Sequence, residues 1–287
     1  MEAIVQVLVS GILSGGIYAL ASVGLTLIFG IVGLVNFAHG EYLMLAMYFA
    51  YWMFSLFGLN PYISMPLNLI VMAVLGFLTY KVLMERMLDS SHSIQMLLTL
   101  GLSMVLQNLA LMLFKADYRS VRLPITNSTI DLGFLHISSV RVLAFLVAIA
   151  ASVALYWFLK NTYTGASMRA VSQNGKAAML MGINLSRTYC LAFMIGTVLV
   201  GLAGLLMMPI YPVYPTVGVS FCTLCFIVVV IGGLSSVPGA IFGGLFIGVV
   251  ESAAGYFIGP AFQQAAYFIL FILVLIFKPN GLFGRKA

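Results

Sequence analysis

The sequence predicts an all-α, polytopic membrane protein of about eight or nine transmembrane helices, some of them broken or re-entrant. Three observations carry that prediction. Of the 287 residues 63% are hydrophobic and 7% charged, with a mean hydropathy of +1.14; a soluble domain so composed would have to show an apolar surface to water. Apolar runs of about 20 residues recur along the whole chain, the length that crosses roughly 30 Å of hydrocarbon. The runs do not alternate polar with apolar, so helices are expected rather than a β-barrel.

The spans fall near 3–32, 40–57, 61–81, 93–114, 141–159, 189–208, 219–233, 238–257 and 261–277. Met1, Glu2 and Ala3 offer neither a basic n-region nor a small-residue cleavage site, so the first run is read as a span and not as a removable signal peptide. It is long enough to be tilted or broken, and the seventh is short for a full crossing. Nothing remains for a separate soluble domain, and residues 1–287 are read as one transmembrane domain.

Charge orients the spans. With nine crossings, one side carries Lys81, Arg86, Lys160, Arg169, Lys176, Arg187, Lys278, Arg285 and Lys286. The other carries Lys115, Arg119, Arg122 and Arg141, alongside Asp117 and Asp131. The richer side is expected to be cytoplasmic, which puts the N-terminus outside and the C-terminus inside. The net charge of +6 is therefore a topology signal and no nucleic-acid footprint.

Small residues punctuate the spans. Gly239 and Gly243, Gly244 and Gly248, and Gly201 and Gly204 sit at spacings that let helix backbones approach closely, within the chain or between subunits. Cys222 and Cys225 have the spacing of a metal or redox pair but no second pair or nearby His, so they read as small packing residues. Two segments, Gly30 to Gly40 and Ile231 to Gly239, share a pattern of apolar run, Gly-Leu, short polar break, Gly and further apolar run. Gly- or Pro-interrupted segments in two halves of a chain point to a transport pathway, with tight surface turns as the plainer alternative. Asn36, His39 and Glu41 stand in the first break, Ser235 and Ser236 in the second, and Glu251 interrupts the eighth span. A carboxylate in an apolar run is costly unless paired, neutral or facing water, which makes these six residues pathway candidates.

Enzymatic motifs are missing. His39-x-Glu41 is not a zinc-protease His-Glu-x-x-His, no Gly-x-Ser-x-Gly nucleophile occurs, and no metal site is expected. Without a Gly-x-x-x-x-Gly-Lys-Ser/Thr loop the chain does not hydrolyse ATP itself.

The polar island from Lys160 to Arg187, which carries no Asp or Glu, holds a short helix. Asn174 is suited to its N-cap, Gly175 to Met181 supply two turns, and Gly182 ends it in the left-handed conformation. Ala177, Ala178 and Met181 are expected to share a face. Such a helix either lies on the membrane interface or receives a partner.

Three stretches, Tyr18 to Glu41, Met168 to Asn184 and Gly232 to Gly244, decide between these. Together with the specific string Asn36-Phe37-Ala38-His39-Gly40-Glu41 they make the chain resemble the permease subunit of branched-chain amino acid ABC importers, specifically the shorter of the two paralogous permeases. The resemblance runs nearly the full length. It implies a non-catalytic permease of the bacterial cytoplasmic (inner) membrane, working with two ATP-binding subunits, a second paralogous permease and an external substrate-binding protein that docks on 115–141 and Pro209 to Pro215. ATP and Mg would be held by the partners and no cofactor by this chain. It also implies that the loop of about 160–188 holds a cytoplasmic coupling helix seated in a cleft of the ATPase through Arg169, Asn174, Lys176, Ala177, Ala178, Met181, Gly182 and Ile183. The Glu-Ala-Ala form of other importers is replaced here by Lys176-Ala177-Ala178. Related permeases for urea, short amides or other amino or organic acids, and a stand-alone secondary transporter, are the alternatives.

Overall fold

The computed structural model describes residues 2–88, 90–121, 129–131, 136–279 and 281–283. The chain is a multi-pass helical membrane protein. Its helices are α1 (Glu2–Val32), α2 (His39–Phe57), α3 (Met65–Thr79), α4 (His92–Phe114), α5 (Ser139–Asn161), α6 (Tyr163–Gln173), α7 (Gly175–Leu180), α8 (Leu185–Met207), α9 (Val217–Gly232), α10 (Val237–Phe257) and α11 (Gln263–Phe277). A two-stranded hairpin, β1 (Thr129–Asp131) antiparallel to β2 (His136–Ser138), lies between α4 and α5. Among the described residues seven helices are long and apolar enough to cross a membrane, α3 being extended to Met87 by a π-turn and a 3-10 turn and α11 preceded by a 3-10 turn from Pro260. Shortness keeps α9 out of this set, and α2 begins with His39 and Glu41.

These elements lie close to the nine runs of the sequence. The third run differs: Asn60, Pro61 and Tyr62 form a turn, with Asn60 Oδ1 accepting from the Tyr62 amide at 3.1 Å, so α3 starts at Met65. The first run is one unbroken helix, and its break comes after Val32. At about 1.5 Å per residue its 31 residues exceed the hydrocarbon thickness, so α1 must tilt or protrude. It is the central element. In its most apolar 18-residue window 83% of residues are buried, against 6% for the window Pro260–Phe277 that contains α11.

Because lipid supplies no hydrophobic drive between helices, packing follows the glycines. Gly11 and Gly15 of α1 meet Gly244 and Gly248 of α10, with the Gly11 and Gly248 backbones in contact. On the same α10, Gly239 and Gly243 face Gly232 and Val228 of α9. Gly204 of α8 rests on α2, and Gly201 on Met72 of α3. All six glycines named in the sequence thus pack helices of one chain.

The crossings define two ends. The hairpin end gathers β1–β2 and the loops 115–121 and 208–216, joined by an antiparallel bridge between Arg119 and Val213. The Arg119 guanidinium also covers Tyr51 and Trp52 of α2. The opposite end gathers α6, α7 and the α9–α10 turn. Among the described residues that end holds Lys81, Arg86, Lys160, Arg169, Lys176, Arg187 and Lys278, and the hairpin end Lys115, Arg119 and Arg141. Arg122, Arg285, Lys286 and parts of the loop 115–141 lie outside the described residues.

Candidate functional site

The break after α1 is not a surface turn. From Gly33, with φ +75°, the chain re-enters the bundle over six residues, and α2 starts in the interior. Non-helical backbone at that depth needs partners within the protein. Asn36 Oδ1 accepts from the Ala38 amide at 3.1 Å, Thr99 of α4 donates to the Val35 carbonyl, and the Cys222 thiol donates to the Phe37 carbonyl at 3.2 Å. Cys222 and Cys225 are free thiols, and the first has this structural task.

A second interior start, that of α9, follows the loop 208–216 from the hairpin end. The N-termini of α2 and α9 abut: an ideal Cβ on Gly40 would collide with the Gly218 carbonyl, so Gly40 must lack a side chain. From this junction the two helices run to opposite ends. The mirrored partner of the first break is therefore 208–216. The segment Ile231 to Gly239 is a plain turn, with Ser236 capping α10 by accepting from the Gly239 amide at 3.1 Å. Its Ser235 lies against Gly30, so the two segments matched in the sequence do share one end.

Glu41 occupies the junction, fully buried. Its Oε1 accepts from Ser103 Oγ at 3.1 Å and Gln107 Nε2 at 2.9 Å, both on α4. Its Oε2 has no hydrogen-bond partner among the described residues and lies against Gly218. The carboxylate thus stands at the first turns of both α2 and α9, where aligned backbone amides favour negative charge. His39, also fully buried, donates from Nε2 to the Ala21 carbonyl of α1 at 3.0 Å. The pair tie α2 to α1, α4 and α9. Glu41→Leu would strand the Ser103 and Gln107 donors in the interior and should cost about 2–4 kcal/mol, with Glu41→Gln, which keeps an acceptor, well below that. Thermal unfolding of the purified variants in detergent checks this; equal melting of the two would refute it.

The remaining candidates lie in two half-open cavities at opposite ends. One, about 530 Å³ at the hairpin end, is lined by Tyr18, Tyr211, Phe221, Glu251 and Tyr267 among others. The second, about 570 Å³, is lined by Arg169, Ser172, Ser235, Ser236 and the end of α1. Asn36, His39 and Glu41 line neither, and the α2–α9 junction sits between them.

The polar island caps α7 where the sequence predicts, at Asn174 and Gly182, and carries further caps at Thr162 and Asn184. Thr162, Asn174 and Asn184 each accept from the amide three residues on, at 3.0 Å, and so start α6, α7 and α8. Gly182, with φ +83°, closes α7 in a Schellman motif: its amide bonds the Met179 carbonyl and that of Ile183 the Ala178 carbonyl. The expected face differs. Ala178 is buried, Ala177 and Lys176 are exposed, and the tip is made by Leu180 and Met181, 88% and 83% exposed. Leu180 was not among the sequence candidates. Three consecutive apolar residues before a helix-ending glycine were the available signal, because a two-turn helix cannot bury all three.

The family model described as the permease component of branched-chain amino acid transport systems matches residues 7–277. The chain is 30% identical to the high-affinity branched-chain amino acid transport system permease protein BraD of Pseudomonas aeruginosa, over 98% of this chain and 95% of the relative. It is 29% identical to the corresponding protein LivH of Escherichia coli, with the same coverage, and 27% identical to the ribose import permease protein RbsC of Haemophilus influenzae, over 93% of this chain and 83% of the relative. No solved structure matches.

Proposed function

Since the chain belongs to the family of branched-chain amino acid transport system permease components, we propose that it is the membrane-spanning permease subunit of an ATP-driven importer for branched-chain amino acids. The observation that carries this reading is the match over residues 7–277. Residues 1–287 then form a single transmembrane domain in the cytoplasmic (inner) membrane of a bacterium. Two ATP-binding subunits hold ATP and Mg, a second permease pairs with this one, and an external binding protein delivers the amino acid. The end richer in Lys and Arg faces the cytoplasm, which leaves the C-terminus inside and the N-terminus outside.

The mechanism needs two vestibules and a barrier. The Glu251 cavity is the outer vestibule, the cavity of Arg169, Ser235 and Ser236 the inner one, and the α2–α9 junction with Asn36, His39 and Glu41 the barrier. The binding protein docks over the bridged loops 115–121 and 208–216. On the inner side α7 enters a cleft of the ATPase with Leu180 and Met181 leading. Lys176, Ala177 and Ile183 flank that contact, while Asn174 and Gly182 hold its shape. ATP-driven closure of the two ATPases moves α7 and shifts the population between inward- and outward-open states.

The test is reconstitution of the assembled importer in proteoliposomes. Leucine uptake should require both internal ATP and the binding protein; uptake without ATP would make the chain a secondary transporter. Uptake of ribose, urea or an organic acid in place of leucine would keep the permease and change its cargo. Gly182→Arg forces a side chain onto a left-handed backbone at a cost of about 1 kcal/mol and puts a second cation into the contact. It should insert normally and lose ATP-coupled uptake; normal uptake would remove α7 as the coupling element.

A further inference from the structure

The outer cavity is built unevenly. Among the described residues it is lined by one carboxylate, that of Glu251, and by no Lys, Arg or His. Among the described residues Glu251 makes no ion pair. The cation that acts on it, Arg141 of α5, lines a separate cavity with Gln6 and Ser10. The rings of Tyr18, Tyr211, Phe221 and Tyr267 line the same cavity as the carboxylate, and the Tyr18 hydroxyl lies 3.0 Å from that of Tyr211. Ser220 and Gln264 supply neutral hydrogen-bonding groups to the same wall, and Val217 and Leu224 an apolar one.

A negative charge in a partly dehydrated, aromatic surrounding attracts a cation more strongly than it would in water, and ring faces add to that attraction. It equally repels an anion that brings no positive group of its own. A neutral amide gains nothing from the charge. The volume of about 530 Å³ holds a small solute with room for water.

We propose that this cavity is a binding site for the ammonium group of a small primary amine or zwitterion, with Glu251 as its counter-charge. The apolar wall of Val217, Phe221 and Leu224 takes the solute's hydrocarbon part, and Ser220 and Gln264 offer hydrogen bonds to its remaining polar groups. The inference rests on reading the cavity as the outer vestibule of an amino acid pathway, and it makes the permease itself a filter. Compounds with an ammonium group pass, whereas organic acids without one and uncharged amides are held back even if a binding protein were to deliver them.

The full chain in lipid nanodiscs provides the test, with two halves of leucine as probes. Isoamylamine keeps the ammonium and the branched hydrocarbon; isocaproate keeps the carboxylate and the same hydrocarbon. Saturation-transfer NMR on the probe methyl groups should show isoamylamine binding at least about tenfold more tightly than isocaproate, the scale of one charge-assisted contact. Glu251→Gln, of nearly the same shape, should erase that difference, and Gly101→Ala on α4, where nothing lies within 4 Å of a Cβ, should leave it intact. Equal binding of the two probes to the unmodified chain, or a preference that survives Glu251→Gln, overturns the inference whatever the variant's yield. Leucine uptake by the assembled importer reports separately on the pathway reading. If uptake fails while the probe preference holds, the importer assignment falls and the ammonium site stands.

Discussion

Gly244→Leu is expected to leave little folded protein, although the substitution adds an apolar side chain to an apolar helix. The reason lies in the seam between α1 and α10. An ideal Cβ on Gly244 would come within 2.5 Å of the Ala19 Cα and backbone nitrogen. One turn away, a Cβ on Gly248 would collide with the Gly11 carbonyl, and one on Gly15 would lie 2.7 Å from the Gly244 carbonyl. The obstacles are backbone atoms, which cannot rotate aside as a side chain can. The helices would have to separate, and dispersion contacts fall steeply over a gap of even half an ångström. In lipid no hydrophobic term offsets the loss. Overpacking in a core costs about 1–3 kcal/mol, and a backbone obstacle on the central helix of the bundle belongs at or above that upper bound. The yield of monodisperse protein and its melting temperature in detergent measure this. Gly101→Leu is the control, because nothing lies within 4 Å of a Cβ there. If Gly244→Leu melts like Gly101→Leu, close packing at this seam is not what holds α1 in place.

Much of this fold was legible in the sequence because the bilayer enforces it. Runs of sufficient apolar length become helices with little regard to their side chains. The caps of α7 were legible too, since Asn174 and Gly182 act through local backbone geometry. Depth was not legible. Asn36, His39 and Glu41 have the composition of a surface turn, and only the distant partners Ala21, Thr99, Ser103, Gln107 and Cys222 reveal that their segment lies inside. The mirrored break at 208–216 escaped notice for a related reason. Its prolines suggest an ordinary loop, whereas its kinship with 33–38 comes from the meeting of Gly40 with Gly218, a contact between residues far apart in the chain. Glu251 stood out from the start as a charge in an apolar run. The neighbours that give it chemistry come from α1, α9 and α11, which no local pattern could have joined.

The double variant Leu180→Asp with Met181→Asp is expected to abolish ATP-coupled uptake while leaving the membrane-embedded fold intact. Both side chains are more than four-fifths exposed, so their loss removes almost no internal contact, and the melting temperature should stay at that of the unmodified chain. Their setting is rigid all the same. Asn174 fixes one end of α7, the Schellman turn at Gly182 fixes the other, and buried Ala178 seats the helix on the bundle. A rigid apolar tip loses little conformational freedom on docking, which is what concentrates binding energy in a few residues. Two such side chains at about 2 kcal/mol each would account for roughly a thousandfold in affinity for the ATPase, enough to separate the subunits during purification. The competing occupant of an apolar tip flanked by Lys176 and Arg187 is the bilayer surface. The double variant distinguishes the two. If α7 merely rests on lipid, the ATP-binding subunits still co-purify at full ratio and uptake persists. If α7 is the lever, the subunits are lost from the complex and leucine uptake falls at least about tenfold. Full uptake with both aspartates in place would move the coupling contact away from α7 altogether.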